Sequence, residues 1–292
     1  MHPAPSLILF TTLSGAGFGL LAFLGLGMPD VAGGSALAFF IIAYGVAVGG
    51  LSASVFHLKR PSRAWRAFTQ VRSSWLSREA WAASATLLIL APYALSLILG
   101  PGRIAWLGWI GAAGAALTLV ATGMIYAQIR AVPRWHDPST PVLFLAHGAA
   151  AGALLSGQVT AAVVLLLALG VAQIVAWARG DGRFGQETTL ATATGLTRGQ
   201  VRSFERPHTG ESYLTREMVF VVARRHARRL RAIGIGLAVV VPIVALLLPF
   251  SHLWAAVAAM SHLAGTGVLR WLFYAEAEHV VGLYYGRRAD AA

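Results

Sequence analysis

No cysteine occurs among the 292 residues of the chain. That absence removes disulfides, cysteine nucleophiles, thiolate-held iron–sulfur clusters and covalently attached c-type haem together, because each needs a sulfur ligand or link. Any electron carrier that works with this chain is therefore non-covalent or belongs to a partner. Charge is also scarce. Asp, Glu, Lys and Arg make up 12% of the chain, about half the share of an average soluble domain. Acidic residues are the scarcer kind, 11 against 23 basic ones, for a formal charge of +12. Hydrophobic residues supply 57% of the chain, and their grouping decides the fold class.

Crossing a hydrocarbon core of about 30 Å takes about 20 apolar residues in a helix. The sequence offers eight such stretches, at 5–27, 35–57, 80–99, 104–129, 141–158, 160–178, 232–249 and 252–273. Open sheets would leave unpaired backbone groups in lipid, and a barrel would show short alternating segments instead of long apolar runs. The expectation is an all-α polytopic membrane protein with a single membrane domain over 1–292. The N-terminus has no basic residue ahead of its apolar run and no small-residue cleavage site, so the first helix is expected to be retained.

Eight spans put both termini on one face, together with the loops after the second, fourth and sixth helices. Twenty-one of the 23 basic residues fall on that face; Arg103 and Arg270 are the exceptions. By the positive-inside rule this face is cytoplasmic, and the opposite loops, whose only charges are Asp30 and Arg103, are extracytoplasmic. The pI of about 11.3 thus records membrane orientation, and nucleic-acid binding is set aside.

One segment does not belong in lipid. Residues 179–231 form a polar, basic cytoplasmic loop too long for an ordinary connection. From 214 to 231 the pattern turns helical and amphipathic, with Met218, Val219, Val222 and Leu230 set against Arg224, Arg225, Arg228, Arg229 and Arg231. Such a helix suits either anionic lipid headgroups or an acidic protein partner. On the second alternative Arg66, Arg72, Arg216, Arg224, Arg225 and Arg228 are docking residues. Gly15, Gly17, Gly19, Gly45, Gly49 and Gly50 indicate close helix packing, while Pro92, Pro242 and Pro249 are expected to kink their spans.

The residues with chemical potential gather around the second loop. His57 ends the second span, Pro61 forces a turn, and the third span starts near Ser77, expected as its N-cap, with Glu79 in the first turn. His57 and Glu79 should lie at one depth on neighbouring helices, beside Arg60, Arg63 and Trp65. A quinone headgroup exchanges two electrons and two protons, so its site needs hydrogen-bond partners for two oxygens and a group that takes a proton. A histidine and a partly buried glutamate can serve, flanked by aromatic rings. The structural alternative makes His57 a helix C-terminal residue, Glu79 an N-terminal carboxylate favoured by the dipole, and the arginines headgroup anchors.

Histidines 147, 252, 262 and 279 raise a second possibility, a b-type haem held between His147 and His262, against interhelical hydrogen bonding as the simpler role. Arg270 and Glu276 lie deep enough that pairing within the bundle is expected. A secondary transporter and a purely structural tether are the remaining rivals; few charges in the first six spans weigh against transport.

His57-Leu58, Pro61, Arg63-Ala64, Trp65 and Leu76-Ser77-x-Glu79, with Pro207–Met218 and Arg270–His279, resemble the membrane-anchor subunits of the dimethyl sulfoxide reductase family, which include the anchors of membrane-bound sulfite dehydrogenases. The resemblance implies a multi-pass protein of the bacterial inner membrane without haem of its own. It further implies a molybdopterin catalytic subunit and a four-cluster iron–sulfur subunit as partners, with electrons exchanged with the quinone pool, ubiquinone or menaquinone. The family's quinol-site histidine and glutamate fall on His57 and Glu79. Lys59 and Arg60 replace small residues of the family's pattern.

Overall fold

A computed structural model describes residues 3–58, 60–100, 102–184, 188–196, 199–202, 204 and 222–284; the side chains of His57 and of residues 222–225 are outside the description. Among the described residues all regular structure is helical. The long helices are α1 (Pro5–Gly25), α2 (Gly33–Ala53), α3 (Trp75–Leu99), α4 (Ala105–Ala127), α5 (Ser139–Leu155) and α6 (Val159–Gly180). They are followed by α7 (Val222–Ile235), a π turn (Gly236–Val240), α8 (Val241–Leu247) and α9 (His252–Ala275).

Among the described residues six helices are both long and apolar enough to cross a membrane, against the eight expected: α1, α2 with its 3₁₀ extension to Phe56, α3, α4, α6, and the continuous rod His226–Leu247. Of the other two, α5 is apolar but 17 residues long, about 25 Å at 1.5 Å per residue. Helix α9 has 24 residues but carries His252, His262 and Arg270 within it. Both lie inside the same bundle.

Helix α1 is the centre of that bundle, buried almost without interruption from Phe10 to Leu21. Small residues make this possible, since association in lipid relies on close packing. A methyl added at Gly19 would overlap the Gly148 carbonyl of α5, and one at Gly50 of α2 would overlap the Ser14 backbone of α1. Gly15, Gly45 and Gly49 meet nothing at that position, so these three make no such close approach. The outer faces carry exposed Leu, Ile and Val, such as Leu88, Leu167 and Ile174. Exposed tryptophans ring the ends of the bundle, Trp65 and Trp81 at one, Trp106, Trp109 and Trp254 at the other, as amphipathic rings do at membrane interfaces.

Three boundaries differ from the sequence-based expectation. Helix α3 starts at Trp75 with Ser74 in the N-cap position, leaving Ser77 buried within the helix and its hydroxyl without a partner. The Arg78 guanidinium binds the carbonyls of Val71 and Arg72 at 3.0 and 2.8 Å, which closes the loop onto an earlier helix start. Helix α5 ends at Leu155 because Gly157 turns left-handed (φ 71°), and α6 starts two residues later. The amphipathic pattern also runs without a break into the seventh span, so residues 222–231 form its basic end. Residues 205–221, and with them all of the Pro207–Met218 motif and the first part of the expected 214–231 helix, lie outside the described residues.

Pro242 has a visible structural effect. It lacks the N–H that would bond the Ala238 carbonyl one turn back, and the preceding turn widens into the π segment Gly236–Val240. His262 of α9 binds that carbonyl through Nδ1 at 2.7 Å, and the Ser261 hydroxyl donates to the neighbouring Leu237 carbonyl at 2.8 Å. The expected kink is thus a π bulge stitched to the next helix.

Candidate functional site

The loop between α2 and α3 is amphipathic and pinned. A 3₁₀ helix, Pro61–Phe68, has no buried residue. Trp81 Nε1 donates to the Phe68 carbonyl at 3.0 Å and the two rings meet edge to face at 5.6 Å. Arg60, Arg63, Trp65, Arg66 and Arg72 all point outward and are exposed. The His57 backbone closes the 3₁₀ turn Ser54–His57, and its side chain is among those outside the description.

Glu79 behaves differently. It points inward from α3 toward α4, with 3% of its surface exposed, and its Oε1 meets the Thr122 hydroxyl. Thr122 also lies 2.9 Å from the Thr118 carbonyl. One hydroxyl carries one hydrogen, so if it goes to Thr118, as side chains of this type do within helices, the Glu79 carboxyl must supply the hydrogen of the other contact. No cation stands within ion-pair distance of Glu79 among the described residues. A buried carboxyl with one hydroxyl for company is the kind of group that holds and releases a proton.

Beyond Thr122, one turn along α4, begins an aromatic cluster that sequence reasoning missed. The Tyr274 hydroxyl donates to the Tyr126 hydroxyl at 2.7 Å, and both are buried. Trp135, Phe144 and Phe273 pack around them at ring distances near 5.4 Å. The cluster joins the region from Tyr126 to Phe144 with Phe273 and Tyr274 far along the chain, so no local pattern announced it. Tyr126 follows Thr122, the partner of Glu79, by one turn of α4, and Tyr274 follows Arg270 by one turn of α9.

Arg270 departs from the expected pairing. It is 3% exposed, its guanidinium lies over the Phe144 ring at 3.6 Å, and its Nε has no hydrogen-bond partner. Glu276 pairs elsewhere. Its two oxygens accept from Arg134 at 2.7 Å and Arg231 at 2.8 Å, and both arginines also hold Asp181 at 2.7–2.9 Å. This closed ring of two cations and two anions ties the α4–α5 loop to α6, α7 and the end of α9. The Arg231 hydrogen bonds hold the Asp181 carboxyl below its ordinary range. Asp137 forms a second knot with Arg179, Arg183 and the Ser139 amide. Burial alone would raise its carboxyl, but the hydrogen bonds from Arg179 and Ser139 prevail and hold it well below the usual carboxylate range.

The haem alternative can be tested on His147 and His262. Their ring centres are 6.3 Å apart, yet the space bordered by both rings is about 10 Å³, room for about one water. His262 Nδ1 is committed to the Ala238 carbonyl and His147 Nδ1 to the Thr266 hydroxyl at 3.2 Å. Threonines 11, 12 and 266 fill the position a macrocycle would need. The residues present do not fit a haem. Nor do three His, Asp or Glu side chains converge as metal ligands among the described residues.

Of the docking candidates, Arg66, Arg72 and Arg228 are exposed. Arg216 lies outside the described residues, as do the side chains of Arg224 and Arg225. On the opposite face the two charges found in the sequence, Asp30 and Arg103, pair with each other.

Comparison with known proteins places this all-helical chain in a family. The family model described as DMSO reductase anchor subunit (DmsC) matches residues 1–276. The sulfite dehydrogenase subunit of Allochromatium vinosum that aligns with this chain is 33% identical over 331 aligned positions, covering 98% of this chain and 99% of that protein. A multi-pass helical bundle matched along nearly its whole length by these comparisons belongs to the dimethyl sulfoxide reductase anchor-subunit family.

Proposed function

We propose that this chain is the quinone-exchanging membrane anchor of a molybdopterin and iron–sulfur oxidoreductase, with eight spans and both termini at the cytoplasmic face of a bacterial inner membrane. In this reading α5 and α9 are spans as well; α5 is short enough to need local thinning or flanking polar residues at its ends. The exposed arginines beside the membrane surface, Arg66, Arg72 and Arg228 among them, receive the iron–sulfur subunit, which in turn touches the catalytic subunit. Electrons from sulfite oxidation pass through those partners to quinone at this chain. Sulfoxide reduction would run the same route backward.

The observation that carries the reading is Glu79, a carboxyl sealed from water in the first turns of α3, the helix that follows the loop carrying Arg60, Arg63 and Trp65. Quinone, when bound, supplies a two-electron, two-proton acceptor. Glu79 and His57 hold the protons for its two oxygens, Arg60 and Arg63 orient the headgroup by hydrogen bonding, and Trp65 covers it. Thr122 fixes the Glu79 carboxyl in the direction it faces. The isoprenoid tail lies along the apolar surface of the bundle.

The test is to replace Glu79 by Gln and His57 by Ala in the assembled complex. Quinone-linked turnover should fall by about 100-fold or more, the lower range for losing a positioned acid–base group. Oxidation of sulfite with a soluble dye should persist. Unchanged quinone-linked turnover in both variants would move the site elsewhere. A structural tether predicts just that result.

A further inference from the structure

Glu79 has no visible route to water. It is sealed by α3 and α4, yet a group that cycles protons at every turnover must exchange them with the aqueous phase. The structure holds a second set of buried polar groups that the proposed quinone site does not use. Three of the four buried side-chain atoms without a hydrogen-bond partner among the described residues, those of Thr12, His262 and Arg270, lie in this part of the bundle.

Two cavities connect them. The larger, about 30 Å³, lies between α5, α6 and α9 and is bordered by Thr140, His147, Gln173, Arg270, Arg134 and Glu276. That volume holds about two waters, and polar groups are there to bind them. The smaller, about 10 Å³, shares His147 and receives Thr12 and His262. Arg270, buried and without a carboxylate partner among the described residues, requires solvation, since a guanidinium stays charged even there. The Tyr126–Tyr274 hydroxyl pair joins α4 to α9: Tyr126 is one turn along α4 from Thr122, the partner of Glu79, and Tyr274 is one turn along α9 from Arg270, which borders the cavity. The cavity's far end is the Arg134–Glu276 pair, at the same face of the bundle as the loop before α3.

We propose that the Tyr126–Tyr274 pair, the waters around Arg270 and the Arg134–Glu276 mouth form a lateral proton path that links Glu79 to water at the same membrane face. This inference rests on the reading of Glu79 as the proton-holding group of the quinone site. In each passage the phenol hydroxyls and waters accept one hydrogen and release another, so one proton moves and no electron does. Arg270 keeps its charge throughout. It is a positioning residue that orders the waters and makes the path selective against metal cations.

The experiment uses the assembled complex and follows quinone-linked turnover, dye-linked turnover and the solvent deuterium isotope effect. Tyr274→Phe and Tyr126→Phe each remove one hydroxyl and keep the ring packing. Each should lower quinone-linked kcat about tenfold with KM for quinone little changed, raise the isotope effect, and leave dye-linked activity intact. A small permeant weak acid added at millimolar concentration should restore part of the rate. Ala176→Leu, which narrows the cavity without touching Glu79 or either phenol, should act the same way. Full turnover with an unchanged isotope effect in these variants overturns the path. Should the phenol variants not assemble, the wild-type complex decides in mixed H₂O and D₂O: a bowed dependence of rate on deuterium fraction supports a multi-proton relay, a straight line overturns it. Glu79→Gln separates the two readings. If Glu79→Gln is silent the quinone site itself is misplaced, whereas inactive Glu79→Gln with fully active phenol and cavity variants removes only the path.

Discussion

Two acidic regions of this bundle are built on opposite principles. Around Asp137, Asp181 and Glu276 every carboxylate meets at least one guanidinium, and Arg134 and Arg231 each bridge two acids. Around Glu79 there is a threonine hydroxyl and, further off, a pair of phenols. The first region spends its charges on one another and joins helices that are distant in sequence. The second leaves a buried carboxyl without a cationic partner among the described residues, which fits the proton-holding role proposed for it. Compensation is thus the property in which these acids differ: Asp137 and Glu276 are as buried as Glu79 yet paired, and Asp181 is paired while about half exposed.

The contrast can be broken by exchanging which property each region loses. The largest effect is expected from Glu79→Gln, with quinone-linked turnover reduced about 100-fold or more while dye-linked activity and the make-up of the complex stay normal. Asp137→Asn should do the reverse. It strips Arg179 and Arg183 of a partner whose side chain is 2% exposed, a loss that lowers stability by less than breaking a fully buried pair because Arg179 itself is half exposed. A lower thermal midpoint in detergent with unchanged turnover per assembled complex would bear this out; lost turnover at normal stability would erase the distinction.

Acid sharpens the comparison further. Because Asp137 titrates well below its ordinary value in the folded protein, its stabilising contribution is fully present above the unfolded value near 4. It fades as pH falls below that value through the folded one. The thermal midpoint should therefore be flat from about pH 8 to 5 and drop below about pH 4, with a shallower drop in Asp137→Asn. The smallest effect belongs to the exposed arginines. Arg66→Glu with Arg72→Glu should weaken retention of the iron–sulfur subunit by only several-fold, and more so at low salt than at high, as exposed charges do. Retention insensitive to both substitutions and to salt would move the docking surface to the basic end of α7.

Much of the architecture was legible because lipid imposes a simple rule. Residues that cross it must be apolar and helical, so the runs themselves locate α1 to α4 and α6, and the one-sided arginines suggest orientation. Glu79 stood out for the same reason, as a lone acid at the start of an apolar run. Boundaries were harder. Ser77 has the chemistry of an N-cap, but Arg78 reaching back to two loop carbonyls fixes the start at Trp75. Polarity divides the seventh span from its basic approach in the sequence, yet the two are one continuous rod, since arginines at a helix end can lengthen it into the headgroups without breaking it.

What the sequence determined by itself was the solvent, the helical class and which residues are too polar to sit idle in lipid. Which of those polar residues find each other was decided only in three dimensions. Tyr126 and Tyr274 are 148 residues apart, and Arg134 and Glu276 are 142 apart. Contacts between helices are set by packing of small residues such as Gly19 against Gly148, a matter of shape that leaves no periodic mark in either helix. Compensation of a buried charge is a property of those contacts. The sequence could therefore single out Glu79, Arg270 and Glu276, and only the tertiary structure could tell the paired one from the two left open.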